Sequence, residues 1–235
     1  MRKRLENVYG TALSQTLRAI NPIKKTVIKT DCEVHLFIQQ SALDILKSEG
    51  YHREFELFQA FIPQINKGLV WADLDFKSYH HFYNPRVERG RFGYEDNALT
   101  VTRSYYNKAL KFFAMGNYER SMFYFGAACH IVQDLTIPQH AKGKLLDNHR
   151  QFEVYVKSNY KNIKRFKSHE KPIYLYSIEE YINFNAQNAL KLDYMYKNIE
   201  SLSTKFYLIA TKSITLAQRS TAGCMLMFYR DIINS

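Results

Sequence analysis

The stretch from His130 to Glu153 reads HIVQDLTIPQHAKGKLLDNHRQFE and holds five side chains able to bind a metal ion: His130, Asp134, His140, His149 and Glu153. His130 and Asp134 stand at i,i+4, as do His149 and Glu153. That interval puts two side chains one turn apart on one helix face, where both can close on a single cation. Pro138 interrupts helical hydrogen bonding, so the segment predicts a helix that stops before it and releases His140 toward a second site. Imidazole and carboxylate donors without a thiolate suit zinc with open coordination positions, as in hydrolytic rather than structural sites. A lone histidine on an apolar helix is ordinarily a core residue, and an i,i+4 His/Glu pair is common on solvated helices. Two acid–histidine pairs flanking a further histidine, in a chain with 8 His, outweigh that reading.

Outward from this stretch the chain reads as helical. Asp31 to Lys47 carries Val34, Ile38, Leu43, Ile45 and Leu46 among polar residues, close to a one-faced helix. Arg53 to Asn66 predicts a second helix ending in a turn at Lys67-Gly68. Leu69 to Gly93, interrupted by Pro85 and Gly90, predicts an irregular segment that carries Asp73 and His81 on a loop. Asn97 to Met115 and Tyr118 to Gln133 predict two helices broken at Gly116, and Asp147 to Ser158, Ile178 to Leu192 and Ser201 to Ile233 complete the set. Neither strand alternation, a repeat nor a low-complexity linker divides the chain. The expected fold is all-α: a single-domain helical bundle with metals among facing helices and one ligand-bearing loop. Such a bundle can bring His35, His80 and His81 to the same place, whereas His52 and His169, among Tyr, Arg, Lys and Glu, read as surface residues.

Several separated segments then resemble, in order, the bacterial zinc-dependent phospholipases C. Phe123-Tyr124-Phe125-Gly126 through His130, Asp134, Pro138, His140 and Ala141 is similar to that family's core motif. His81-Phe82-Tyr83-Asn84-Pro85 resembles its HFYDP segment, and Trp71-Ala72-Asp73 the segment with its upstream active-site aspartate. Val34-His35-Leu36 followed by Ile38 resembles the first metal-binding helix, and Ala217 to Gly223 (AQRSTAG) the last helix. The resemblance implies eight side-chain ligands for three zinc ions. Asp73, His81, His130 and Asp134 would hold the first, and His140, His149 and Glu153 the second. Asp134 would bridge to the third, which His35 also binds; Asp73 and Asp134 are the implied catalytic carboxylates. The gaps from Asp73 to His81 and from His140 to His149 are shorter than in the secreted lecithinases. In the family an N-terminal Trp completes the third site, but here the single Trp is Trp71 and more than thirty residues precede His35. With a helix starting at Thr30, Asp31 would share a face with His35 and replace that amine; Cys32 is the alternative donor.

The implied reaction is phosphodiester hydrolysis by a phospholipase C, releasing diacylglycerol and a phosphorylated headgroup from phosphatidylcholine or a related lipid. The choline-boxing residues are not plainly retained: Leu74 follows Asp73 where a Tyr is expected, and Ser78 stands where a Phe is expected, with Tyr79 as a substitute. Zinc-dependent single-strand nucleases on the same fold are the runner-up, although Glu153 follows the phospholipase pattern. A non-catalytic binding module comes third, disfavoured because all eight ligands are present.

A chain of 235 residues, 46% hydrophobic, can bury a full core as one domain. Residues 31–235 read as the catalytic domain and 1–30 as a basic extension. No signal-peptide core follows Met1-Arg2-Lys3-Arg4, so the chain reads as cytoplasmic as written, although family members are usually secreted. Cys32, Cys129 and Cys224 are scattered and odd in number, which argues against a disulfide framework. The net charge of +11 is densest over Lys157 to Lys171, where Tyr160 and Phe166 are interleaved with lysines. A solvated loop is the plain reading of that run. Peripheral contact with an anionic membrane and stacking on a single-stranded nucleic acid are the two functional ones.

Overall fold

The computed structural model describes residues 32–74, 80–90, 97–143 and 148–234. The extension 1–30, Asp31, Ser78 and Tyr79 lie outside the described residues. Among the described residues the order is α1 (Glu33–Ser48), α2 (His52–Ala60), α3 (Ile62–Asp73), α4 (Ala98–Ala114), α5 (Tyr118–Asp134), α6 (Pro138–Lys142), α7 (His149–Asn159), α8 (Ile178–Met195) and α9 (Leu202–Ile233). No strand forms among them; one isolated antiparallel bridge pairs Asn84 with Arg89. The fold is all-α.

Helix α5 is the axis of the bundle. Asn117 caps it by accepting from Arg120 N, and from Phe125 to Asp134 every residue is buried. A helix covered on all sides must be enclosed by others, and α3, α4, α8 and α9 pack around it. Beyond Asp134, Ile137 turns to extended backbone (φ −96°, ψ 128°), as a residue before proline prefers. Pro138 starts α6 rather than stopping α5, and Gly143, with φ 69°, ends α6 in the left-handed region.

The break expected at Lys67-Gly68 falls instead at Phe61, just ahead of Pro63, and α3 runs through Gly68 to Asp73. Glycine inside a helix costs roughly 1 kcal/mol against alanine. Gly68 is used here for close approach: a Cβ there would lie 1.7 Å from the Phe123 carbonyl oxygen, and one on Gly126 would lie 2.0 Å from the Ile65 oxygen. Helices α3 and α5 therefore meet backbone to backbone. Asp73 consequently sits on the last residue of a helix, not on a loop as the sequence predicted.

Two buried clusters share α9. Its C-terminal half, Ala222 to Ile232, joins Phe58, Phe125, Met122 and Leu43. The first half, with Phe206, Ile209 and Ile214, joins Ile38, Phe152, Val156, Tyr160 and Phe166. Tyr160 and Phe166 are thus core residues, and Tyr160 donates to Glu33 Oε2 at 2.9 Å. They cannot stack on bases or dip into a membrane, which removes the aromatic half of both functional readings of the basic run. The AQRSTAG segment is scaffold: Gln218 donates to the Phe166 carbonyl and accepts from Ser168 N, each at 2.7 Å, holding the basic segment against α9. Cys129 and Cys224 are buried free thiols, as is Cys32. No described helix is long and apolar enough to cross a membrane.

Candidate metal centre

Five helices and one irregular segment deliver the ligand-type side chains to the C-terminal end of α5. Its last turn supplies His130 and Asp134, α1 supplies His35, the end of α3 supplies Asp73, and the chain after residue 79 supplies His81. Helices α6 and α7 bring His140 and His149 with Glu153 to the same end. Possible donor atoms converge within 4.8 Å in three clusters: Asp73, His81 and His130; His35, His130 and Asp134; and His140, His149 and Glu153. Every sequence-predicted ligand among the described residues belongs to at least one cluster. His52 and His169 are exposed.

Asp134 stands between the first two groups. Its Oδ2 lies 2.8 Å from His81 Nδ1 and 3.2 Å from His130 Nε2, while Oδ1 faces His35 Nε2 at 3.4 Å. One carboxylate thus presents a separate oxygen to each side, the arrangement a bridging ligand needs. The buried His140 Nδ1 also approaches Oδ2, at 3.8 Å.

The electrostatics favour ligand-competent protonation states. Burial pushes the imidazoles of His35 and His81 below their usual range, and that of His140 down to about 4. Burial alone would raise Asp134, but the surrounding histidines, His140 and His130 foremost, hold it well below the ordinary carboxylate range. At His130 burial acts downward and is outweighed by Asp134, which raises it. The neutral imidazoles so favoured at His35, His81 and His140, with an ionised Asp134, are the forms that bind a divalent cation, whereas the shift at His130 runs the other way.

Two further contacts aim the rings. His35 Nδ1 donates to Gln133 Oε1 at 2.8 Å, and His140 Nδ1 donates to the His81 carbonyl at 3.1 Å. Each bond fixes the tautomer so that Nε2 keeps its lone pair for the cluster. Phe82 stacks on His140, with ring centroids 4.9 Å apart and planes 12° apart, which fixes the ring laterally. Gln133 escaped the sequence reading; the available signal was a polar residue inside an apolar helical run, directly before Asp134. Cys32 is the N-cap of α1, and its thiol donates to Asp73 Oδ2 at 3.5 Å rather than joining a donor cluster. Helix α1 starts at Glu33 rather than at Thr30, and Asp31 lies outside the described residues.

The residues fit zinc on an observation independent of motif. The Nε2 atoms of His81, His130 and His149 are buried without a hydrogen bond of acceptable geometry. Buried polar atoms are nearly always satisfied, and the Nε2 atoms of His130 and His149, 3.2 Å from Asp134 Oδ2 and 3.1 Å from Glu153 Oε1, are explained by cations held between them. The centre opens on a cavity of about 450 Å³. It is lined by His35, Asp73, Asp134 and Glu153 together with the apolar Val34, Ile38, Phe152, Val154 and Ile214.

A family model described as zinc dependent phospholipase C matches residues 34–207. A phospholipase C from Clostridium novyi is 24% identical over 234 residues, covering 84% of this chain and 58% of that protein. Among solved structures, the alpha-toxin from Clostridium absonum superposes with a TM-score of 0.70 at 19% identity, covering 86% of this chain and 64% of that one. The alpha-toxin of Clostridium perfringens, from an avian strain, gives 0.68 at 20% identity with the same coverage. The chain spans less than two thirds of the length of each of these relatives. At such identities the structural likeness establishes the fold, while the family model covers every ligand cluster described above. By that match, this chain belongs to the zinc-dependent phospholipase C family.

Proposed function

We propose that this protein hydrolyses phospholipids as a zinc-dependent phospholipase C, releasing diacylglycerol and a phosphorylated headgroup. The observation that carries the reading is the convergence of three donor clusters at the end of α5, beside a cavity lined by both donor and apolar side chains. In this reading Asp73, His81, His130 and Asp134 hold one ion; His140, His149 and Glu153 hold the second; His35 and Asp134 contribute to the third. Asp31 is the further donor proposed for that last site.

When bound, zinc supplies Lewis-acid neutralisation of the anionic phosphodiester and acidifies water enough to give a nucleophile near neutral pH. Asp73, on the cavity wall, orients the attacking water. Water oxygen bonds to phosphorus, the bond from phosphorus to the diacylglycerol oxygen breaks, and the departing alkoxide takes a proton from solvent. The apolar side chains of the lining, Ile38, Phe152 and Ile214 among them, receive the glyceride portion. Peripheral contact with an anionic membrane is supported by α7, where exposed Val154 lies between Arg150 and Lys157.

The test uses monomeric short-chain phosphatidylcholine and phosphatidylethanolamine against single-stranded DNA and RNA, with zinc counted by elemental analysis. Lipid turnover should exceed nucleic-acid cleavage by a wide margin. Asp134→Asn should lose two ions and abolish turnover. Robust nuclease activity without lipid cleavage would reverse the reading in favour of a zinc nuclease; no hydrolysis of any ester by zinc-loaded protein would leave a binding module.

A further inference from the structure

Helix α8 contributes no residue to the three donor clusters, yet it bonds to two of the segments that carry them. The first contact is at the end of α5. In a continuing helix the amide of Thr136 would close on the Val132 carbonyl, but it donates to Gln133 instead, at 3.1 Å. Val132 is fully buried, and a buried carbonyl is rarely left without a donor. Asn185, itself fully buried on α8, supplies one: its Nδ2 donates to that carbonyl at 2.8 Å. The Ser220 hydroxyl of α9 donates to Asn185 Oδ1 at 3.1 Å, so the amide turns its nitrogen toward α5 and its oxygen toward α9. Val132 lies between His130 and Asp134, in the turn that aims both.

The second contact is on the segment with His81. Tyr83, buried two residues further on, donates its hydroxyl to Asn183 Oδ1 at 3.0 Å. Asn183 Nδ2 donates to the Glu179 carbonyl of its own helix at 3.1 Å, which leaves its oxygen facing Tyr83. A third link, from Lys142 to Asp193 at 2.8 Å, reaches α6, but both side chains are partly exposed and such pairs contribute little.

We propose that Asn185 and Asn183 are positioning residues for metal binding: from a helix that holds no ligand, they set the aim of His130, Asp134 and His81. The inference rests on the zinc reading above. The Asp73–His81–His130 and His35–His130–Asp134 clusters both depend on the turn that Asn185 braces, and the former also on the segment that Asn183 holds. The His140–His149–Glu153 cluster takes its place from α6 and α7, to which neither asparagine bonds.

The experiment measures zinc affinity by competitive chelator titration, with zinc content and melting temperature, in Asn185→Leu, Tyr83→Phe and Asn188→Ala. Asn188 is the control on the same helix, because its amide donates to the Phe184 carbonyl of α8 itself at 2.8 Å. Repeating each titration in a His149→Ala background identifies the ion of the His140–His149–Glu153 cluster. Asn185→Leu should weaken the ions of both clusters that contain His130 by about 10–100-fold, the range for partners that orient metal ligands, and spare the remaining ion. Tyr83→Phe, which removes a single oxygen, should weaken the His81 cluster, and it carries the test if Asn185→Leu does not fold. Asn188→Ala should bind zinc as the wild type does. Residues that merely stabilise the fold would lower the melting temperature and weaken all three sites together or none. Wild-type affinity in the variants that fold, or a uniform fall that tracks melting temperature, overturns the inference and leaves the metal centre standing. A wild-type protein that takes up no zinc removes the zinc reading and this inference with it.

Discussion

At the residue scale, Asp134 and Gln133 divide the work of the α5 terminus. Asp134 directs one oxygen at His35 and the other at His81 and His130. Gln133, buried beside it, accepts from His35 Nδ1 at 2.8 Å and steers that ring's Nε2 toward Asp134. Such supporting bonds set a ligand's tautomer and orientation, and losing one weakens metal binding by about 10–100-fold. Gln133→Leu should therefore weaken zinc at the His35 site by that factor in a competitive chelator titration, while the His140–His149–Glu153 site keeps its affinity. Gln133→Glu, which retains the accepting oxygen, should restore binding. Equal affinity in the leucine variant would show that His35 is held by packing alone, its ring already lying 4.2 Å from that of His130.

At the element scale, the site depends on how closely α3 and α5 approach. Asp73 closes α3 and reaches His130 on α5 because Gly68 and Gly126 let the two backbones touch. A methyl group on Gly126 meets the Ile65 carbonyl, which is backbone and cannot swing aside. Gly126→Ala should destabilise the protein by about 1–3 kcal/mol or more, as overpacking does, in denaturant unfolding. It should also lower zinc stoichiometry, because α3 must move away and carry Asp73 with it. Gly116→Ala is the control: φ is +72° there, yet an added Cβ meets nothing within 4 Å. Its cost should be about 1–2 kcal/mol, the strain of left-handed backbone, with full zinc content. If both variants bind zinc equally, Asp73 is not positioned by the α3–α5 crossing.

At the scale of the whole molecule, buried phenols set an alkaline limit. Burial, with Tyr124 beside it, pushes the Tyr105 phenol up to about 12, and Tyr106 and Tyr181 are also raised, chiefly by burial. A raised folded value means that the native state holds its proton where the unfolded chain has lost it. The associated stability is complete below the ordinary phenol value of 10.0 and declines as pH rises from there toward about 12. Trp71, the single tryptophan, packs 5.6 Å from Tyr105, so its fluorescence should report this loss in unfolding curves taken across that window. Tyr105→Phe should flatten the decline, and an unchanged slope would place the alkaline limit elsewhere. The ligand types, the helical spacing within His130–Asp134 and His149–Glu153, and the all-α class were legible in the sequence, because an i,i+4 interval is a local property that helix geometry alone converts into a shared face. Asp73 on a helix end was not legible: Gly68 next to Lys67 reads as a turn until the carbonyl of Phe123 is seen against it. Nor was the burial of Tyr160 and Phe166, which a basic run disguises and the first half of α9 imposes. Gln133 and Phe82 likewise acquire their roles from elements distant in sequence. Local periodicity determined which side chains can bind metal, whereas packing between helices decided which of them meet and what stands beside them.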